Sequence, residues 1–461
     1  MTFKSRLQGF LQRFSEPLAP GKLFRLLLIL FAVAAAIRIL FAMPALAQPE
    51  TLLRPDSMGY WNPALALAAG DGFVSAVGSD TPEVIRPIGY PLLLSLVIVI
   101  FGKSFFAAAI TGIVAGASAV IPITLTVRKV AGDRWGLIAG GLFALSMTPV
   151  AAAPMILSDN LLGVIAAWQC CMAVYFCKEK KIHYFTILTL LAIIGSLVKP
   201  VNLPVVLFGL PVILIAGSCK LQQFLTGAAI MIFLTGVILL PYLYRNYRLC
   251  GGFDGNSPNL YFHNGSAIMA HATGESSEVW KNRLLAKAEK EFRNHPEQYP
   301  SLREQNTWKK ARFAEMVRRY PRSSFITHLP NMFNLLPDVP AFLENNHVTT
   351  GERGTMAVLR QKGFFAAVKH YFGSKWPIIF LLIPFLAVHT FILLFAFCQL
   401  AKYIITWQWR WLLIFGVLVF YYILAPGPVV SPRYLLPALP MMIFMAVGFL
   451  SNTTYDKISK G

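Results

Sequence analysis

Residues 376–401 read WPIIFLLIPFLAVHTFILLFAFCQLA, a run without a charged side chain that closes on Lys402. A helix needs about 20 apolar residues to cross roughly 30 Å of hydrocarbon, so this segment is long enough to span a bilayer. Working outward from it, the same pattern recurs. Apolar runs fall at 24–46, 105–127, 135–152, 160–177, 183–198, 201–218, 222–243, 410–425 and 434–450, which with the first gives about ten spans. The chain of 461 residues is 56% hydrophobic and 13% charged, a balance that leaves a water-soluble globule with too much apolar surface to hide. The expected fold class is an all-α polytopic membrane protein.

Residues 87–102 are apolar as well, but the run is short and carries Pro87 and Pro91. It reads as a helix lying along the membrane surface. Lysine and arginine number 41 against 21 acids, and the short loops that hold them fix the orientation. These are the basic N-terminus, Arg128 with Lys129 and Arg134, Lys178 with Lys180 and Lys181, Lys220, Lys402 with Arg410, and Lys457 with Lys460. Cations near span ends are retained in the cytoplasm, which places these loops and both termini inside, in a cell inner membrane. Counting 87–102 as a full span would put Arg128, Lys129 and Arg134 outside. The basic excess is thus assigned to topology and anionic membrane lipids, not to nucleic acid. The first run ends at Ala45-Leu46-Ala47, which looks like a processing site, but its apolar stretch has the length of an uncleaved anchor.

Two long segments then face the exterior, 48–103 and 244–375. The expected organisation is a transmembrane module over 1–245 that includes the first exterior loop, an exterior helical segment over 246–375, and C-terminal transmembrane helices over 376–461. Within the second exterior segment, 277–293 and 301–320 are charged stretches interrupted by Leu284, Leu285, Phe292, Trp308, Phe313 and Met316. They read as amphipathic helices resting on the outer membrane face. Their extra cations run against the positive-inside bias, which a phosphate-bearing partner would explain. The cysteines at 170, 171, 177, 219, 250 and 398 contain no CxxC pair and the histidines no HExxH, so neither a disulfide framework nor a metal site is expected.

Residues with chemical potential gather at exterior span ends. Asp56 opens a stretch that stops at Gly70-Asp71-Gly72; it suits a helix N-cap, and alternatively a general base that takes a proton from an acceptor hydroxyl. Both roles stand at this point. Arg86, in Arg86-Pro87-Ile88-Gly89-Tyr90-Pro91, suits phosphate binding or snorkelling at the interface. The same pair of readings applies to Lys199 before Pro200, to Arg245 and Arg248 beside Tyr244 and Tyr247, and to Arg433 before Tyr434. Asp159, at the outer start of the fourth span, is a cap or a second acid of the same site.

In this order the motifs resemble the GT-C glycosyltransferases, in the group that includes the aminoarabinose transferases of lipid A and the protein O-mannosyltransferases. The carriers are Asp56 with the tyrosine and Gly-Asp-Gly turn that follow, Arg86 to Pro91, and Phe101-Gly102-Lys103-Ser104. Pro241 to Arg248 with Asn259-Leu260-Tyr261 and Asn264-Gly265, and the late Arg433-Tyr434-Leu435-Leu436-Pro437, complete the series. The resemblance implies a GT-C helix bundle and a polyprenyl-phosphate sugar donor. It implies Asp56 as catalytic base, with Arg86, Lys199, Arg245 and Arg433 for the donor phosphate and Tyr60, Tyr90, Asp159 and Tyr247 as further site members. No cofactor and no divalent metal are expected, because fixed cations meet the leaving phosphate. The protein O-mannosyltransferases carry an Asp-Glu pair where this chain has Asp56-Ser57, and a soluble domain not seen here, so a lipid or cell-envelope glycan acceptor is expected in place of a protein. The rival class is a transporter or flippase of a lipid-linked or anionic solute. Transporters commonly show repeated halves with charges at mid-membrane, whereas these halves are unequal and the ionisable residues sit at exterior span ends. Arg38 is the exception, placed where it can snorkel outward.

Overall fold

The computed structural model describes residues 17–217, 220–252, 259–329, 332–348 and 355–451. The basic N-terminus, Cys219, Lys457 and Lys460 lie outside these residues. Among the described residues the chain is helical, and the one extended pairing is an isolated bridge between Val74 and Pro82.

The long helix α1 (Pro20–Ala47) leads to α2 (Met58–Ala69) and α3 (Gly89–Phe101) in the loop 48–103. The bundle continues through α4 (Phe105–Ala131), α5 (Asp133–Ala144), α6 (Met147–Ala152), α7 (Ser158–Glu179), α8 (Ile182–Val198), α9 (Pro200–Ala216) and α10 (Leu221–Cys250). The segment 246–375 holds α11 (Gly265–Thr273), α12 (Ser277–Asn294), α13 (Leu302–Arg319), α14 (Val339–Asn345) and α15 (Phe364–Phe372). The chain closes with α16 (Ile378–Ile405), α17 (Trp409–Leu424) and α18 (Leu439–Leu450). Helices α1, α4, α7, α10 and α16 are long and apolar enough to cross a membrane, and α8, α9, α17 and α18 are apolar but shorter. Helices that are apolar all round belong inside a bundle: every residue from Leu439 to Gly448 of α18 is buried, as is most of α7.

The single span expected over 135–152 is two helices. The chain leaves the helix at Leu145, Ser146 is extended (ψ 124°), and α6 restarts with Pro149 in its first turn, where the missing N–H costs no hydrogen bond. Arg38 does not snorkel. Its side chain is fully buried, donates from Nη1 to the Ala34 carbonyl at 2.9 Å and lies 5.4 Å over the Phe143 ring. Helices α12 and α13 form where expected, but their apolar faces pack on each other. Leu284, Ala288 and Trp308 make a small core with Tyr261, edged by Phe292, Phe313 and Met316. Part of the apolar surface read from the sequence as membrane-facing is thus taken up by a core shared between the two helices.

Helix α3 buries Tyr90, Leu94, Val97 and Ile98 and leaves Leu92, Leu96, Val99 and Ile100 uncovered, the two-faced pattern of a helix at a lipid boundary. Its first residue explains the glycine of the Arg86–Pro91 motif. A Cβ on Gly89 would stand 2.8 Å from the carbonyl carbon and oxygen of Leu197 and 2.9 Å from Val198 Cγ2, so only glycine lets α3 close on the end of α8. Gly89→Ala is expected to cost about 1–3 kcal/mol by overpacking against backbone that cannot yield. Thermal melting of the purified variant checks this, and an unchanged midpoint would refute it.

Candidate active site

Lys199 leaves α8 because a proline follows. The residue before proline is pushed out of helical conformation, and Lys199 is extended (φ −153°, ψ 127°). Its ammonium, freed from the helix, binds the Asp159 carboxylate and lies 4.5 Å over the Tyr434 ring. Asp159 sits in the first turn of α7 and is only 7% exposed. It makes an ion pair, with Arg433 Nε on its other oxygen at 3.6 Å. The N-cap role open to it in the sequence is therefore not what its carboxylate does.

Asp56 does not cap α2 either. The helix starts at Met58 after Ser57, no side chain caps it, and Gly70 stops it in the left-handed conformation (φ 88°). The Asp56 carboxylate turns to the cations: Oδ1 accepts from Arg86 Nη2 at 2.7 Å, and Oδ2 is 3.6 Å from Arg433 Nη2. Arg433 thus stands between the two acids. Asp56 is 43% exposed where Asp159 is 7%, so Asp56 is the carboxylate an incoming molecule can reach.

Arg86 is presented by a built turn. Glu83 Oε1 accepts from the backbone of Ile85 at 2.6 Å and of Arg86 at 2.8 Å. The guanidinium then crosses α2 at Gly59, where a Cβ would come within 3.0 Å of Nε, and lies 4.9 Å over the Tyr60 ring. Tyr60 OH meets Ser158 Oγ at 3.0 Å, and the Tyr60 and Tyr90 rings pack edge to face at 5.3 Å. Burial disfavours charge on Arg86, but Tyr60 and Asp56 outweigh it and its pKa is raised. Arg433 behaves alike: burial is outweighed by Asp159, Tyr434 and Asp56. Both stay cationic.

Arg245 and Tyr247 are not brought into this cluster. Arg245 donates to the carbonyls of Glu83 (3.0 Å) and Phe73 (3.2 Å) and to Asn246 Oδ1 (2.9 Å), with its guanidinium over the Phe73 ring. It ties down the loop that carries Glu83. Tyr247 lies under Arg303 of α13 at 5.3 Å.

Beside the cluster opens a cavity of about 710 Å³ whose walls include Met155, Val339, Phe372, Leu382, Leu386 and Val430 and whose polar end holds Arg54, Asp338, Glu344 and Arg433. Arg54 pairs with Glu344 at 3.1 Å and donates to Asn345 Oδ1 at 2.8 Å. Asp338 is buried, caps Ala341 N at 3.3 Å, and burial raises its pKa. On the side of the segment 246–375, burial and Lys281 hold the His263 pKa below its ordinary value, and the Asp56 charge reaches it with the opposite sign. Sequence reasoning passed over Arg54, Glu83, His263, Asp338, Glu344 and Tyr434. Tyr434 had a signal, since it adjoins Arg433 in Arg433-Tyr434-Leu435-Leu436-Pro437.

Residues 85–244 match the family model of dolichyl-phosphate-mannose-protein mannosyltransferase. The match takes in Arg86, Tyr90, Asp159 and Lys199, while Asp56 and Arg433 lie outside it. No curated protein matches the chain. Among solved structures, the chain is similar to the oligosaccharyltransferase of Archaeoglobus fulgidus in the apo form, with 14% identity and a TM-score of 0.48 over 94% of this chain and 51% of that one. It is also similar to ArnT from Cupriavidus metallidurans bound to undecaprenyl phosphate, with 14% identity and a TM-score of 0.39 over 93% of this chain and 77% of that one. The chain spans about half the length of the oligosaccharyltransferase. The family match bears out the resemblance to GT-C membrane glycosyltransferases drawn from the sequence motifs.

Proposed function

We propose that this protein transfers a sugar from a polyprenyl-phosphate carrier to a hydroxyl of a lipid or cell-envelope glycan on the exterior membrane face, with inversion and with Asp56 as general base. The observation that carries this reading is the double placement of Arg433, which contacts the reachable carboxylate Asp56 and also lines the polar end of the large apolar cavity. The apolar walls suit a prenyl chain, and Arg433 suits the phosphate at its head.

Charge balance follows the reaction. Arg86, Arg433 and Lys199 face Asp56 and Asp159, three cations against two carboxylates, a net of one positive charge. The donor is a phosphodiester with one negative charge. As the acceptor oxygen bonds to the anomeric carbon, the bond from that carbon to the phosphate oxygen breaks and the electron pair leaves with the phosphate. The acceptor proton passes to Asp56. Those five side chains then carry a net of two positive charges, and the departing monoester approaches two negative charges. Fixed dipoles and charges aimed at developing charge are the main source of such catalysis.

Assay of labelled-sugar transfer from a synthetic polyprenyl-phosphate sugar tests the activity. Orientation has its own test. Cysteines placed at Asp80 and Gln298 are expected to react with an impermeant thiol reagent from outside, and cysteines at Lys181 and Lys220 to stay unlabelled until the membrane is opened. Among the described residues four native cysteines are buried and Cys398 is half-buried; Cys219, next to Lys220, is replaced by serine so that it adds no signal. External labelling at Lys220 would overturn the exterior placement of the site.

A further inference from the structure

Between α8 and α9 lies a polar knot away from the carboxylate cluster. Its hub is Asn202, fully buried. Asn202 Nδ2 donates to the Ala192 carbonyl at 2.9 Å. Its Oδ1 accepts from Tyr422 OH at 2.9 Å and from Gln169 Nε2 at 3.5 Å, and Gln169 also donates to the Leu191 carbonyl at 3.1 Å. Gln169 and Tyr422 are buried as well, so helices α7, α8 and α17 meet on one side chain. The approach depends on Gly195, where a Cβ would stand 2.5 Å from Asn202 Nδ2 and 3.2 Å from Gln169 Nε2.

Tight packing alone does not require a hub of this kind, since buried polar groups are costly unless every partner is supplied. The knot's position supplies a purpose. Lys199 is held from both sides by its members: its N–H donates to the Gly195 carbonyl at 2.9 Å, and its carbonyl accepts from Asn202 N at 3.0 Å. The extended residue that carries the ammonium to Asp159 is therefore suspended between the glycine that admits the knot and the asparagine that ties it.

We propose that Asn202 is a positioning residue, which through the backbone of Lys199 holds that ammonium on Asp159 and aims it at the donor phosphate. The phosphate part rests on the glycosyltransferase reading; the holding of Lys199 does not. Two measurements separate them. The first is the rate at which Lys199 reacts with a small amine reagent, followed by peptide mass spectrometry. In Asn202→Leu the rate is expected to rise severalfold, while exposed Lys287 reacts as before. The second is binding of bare polyprenyl phosphate in a cycle with Lys199→Ala. Asn202→Leu alone is expected to weaken binding about tenfold, the scale of one hydrogen bond to a charged group, and to weaken it no further when Lys199 is already alanine. If Asn202→Leu does not fold, Tyr422→Phe removes one bond of the hub and is expected to move both readouts in the same direction by less. An unchanged Lys199 reaction rate, or the same loss of binding with and without Lys199, would overturn the proposal. A wild-type protein that binds no polyprenyl phosphate would sink the glycosyltransferase reading and leave the labelling result to decide the positioning role.

Discussion

Asp56→Asn is expected to lower turnover about 100-fold or more, the scale of lost general-base catalysis, while leaving folding and donor binding in place. The structure sharpens this expectation. The Asp56 side chain caps nothing, so its replacement removes no helix cap, and asparagine Oδ1 can still accept from Arg86 Nη2 as the carboxylate does at 2.7 Å. What asparagine cannot do is take the acceptor proton. The ion pairs of a carboxylate this exposed contribute little to stability, so the melting midpoint should hardly move. Transfer assays and melting curves on the same preparations check it, and near-normal turnover in the asparagine variant would remove Asp56 from the chemistry.

Arg433→Ala is expected to weaken donor binding by about 10- to 100-fold, because a charge-assisted contact to phosphate contributes roughly 1.5–3 kcal/mol. Turnover should fall with it. The effect on turnover separates Arg433 from an ordinary binding residue: it touches Asp56 and Asp159, and its loss leaves two carboxylates facing Arg86 and Lys199 with no net positive charge. Arg433→Lys keeps a charge but not a planar fork able to meet two acids and a phosphate, so it should restore only part of the loss. Binding of bare polyprenyl phosphate and the steady-state rate measure the two effects. Unchanged affinity in Arg433→Ala would move the phosphate elsewhere.

Arg245→Ala makes the contrast. Its guanidinium holds the carbonyls of Phe73 and Glu83, so its removal should loosen the turn that presents Arg86 and lower stability or turnover without a specific loss of affinity for bare polyprenyl phosphate. The sequence marks Arg245 as a cation at an exterior span end but not the carbonyls that occupy it.

That difference shows what a sequence can tell. Asp56, Arg86, Asp159, Lys199 and Arg433 were visible because acids and cations recur together at one set of span ends, although each alone fits a cap or an interfacial side chain. Their joining was not visible: Lys199 meets Asp159 across the hairpin of α7 and α8, and Arg433 meets Asp56 across most of the chain. Asp338 was hidden for another reason. It does cap Ala341, so locally it reads as an ordinary helix start. Its place in the cavity wall comes from docking under α6, where Asp338 N donates to Thr148 Oγ1 at 3.2 Å and Asn345 Nδ2 to the Ala151 carbonyl at 2.8 Å. The break between α5 and α6 that creates this dock falls inside an apolar run, and hydropathy averages over it. The charged faces of α12 and α13 were legible, but whether their apolar faces meet lipid or each other depends on Tyr261 and Trp308 arriving from different segments.

The most direct test of the account places wild-type protein in vesicles with a polyprenyl-phosphate sugar labelled in the sugar, together with an extract of cell-envelope lipids and glycans as acceptor. The account predicts that labelled sugar appears on an acceptor in step with release of sugar-free polyprenyl phosphate, and that both stop together in Asp56→Asn. Movement of the intact labelled lipid from one leaflet to the other without cleavage, at the same rate in wild type and Asp56→Asn, would contradict it and make the protein a carrier.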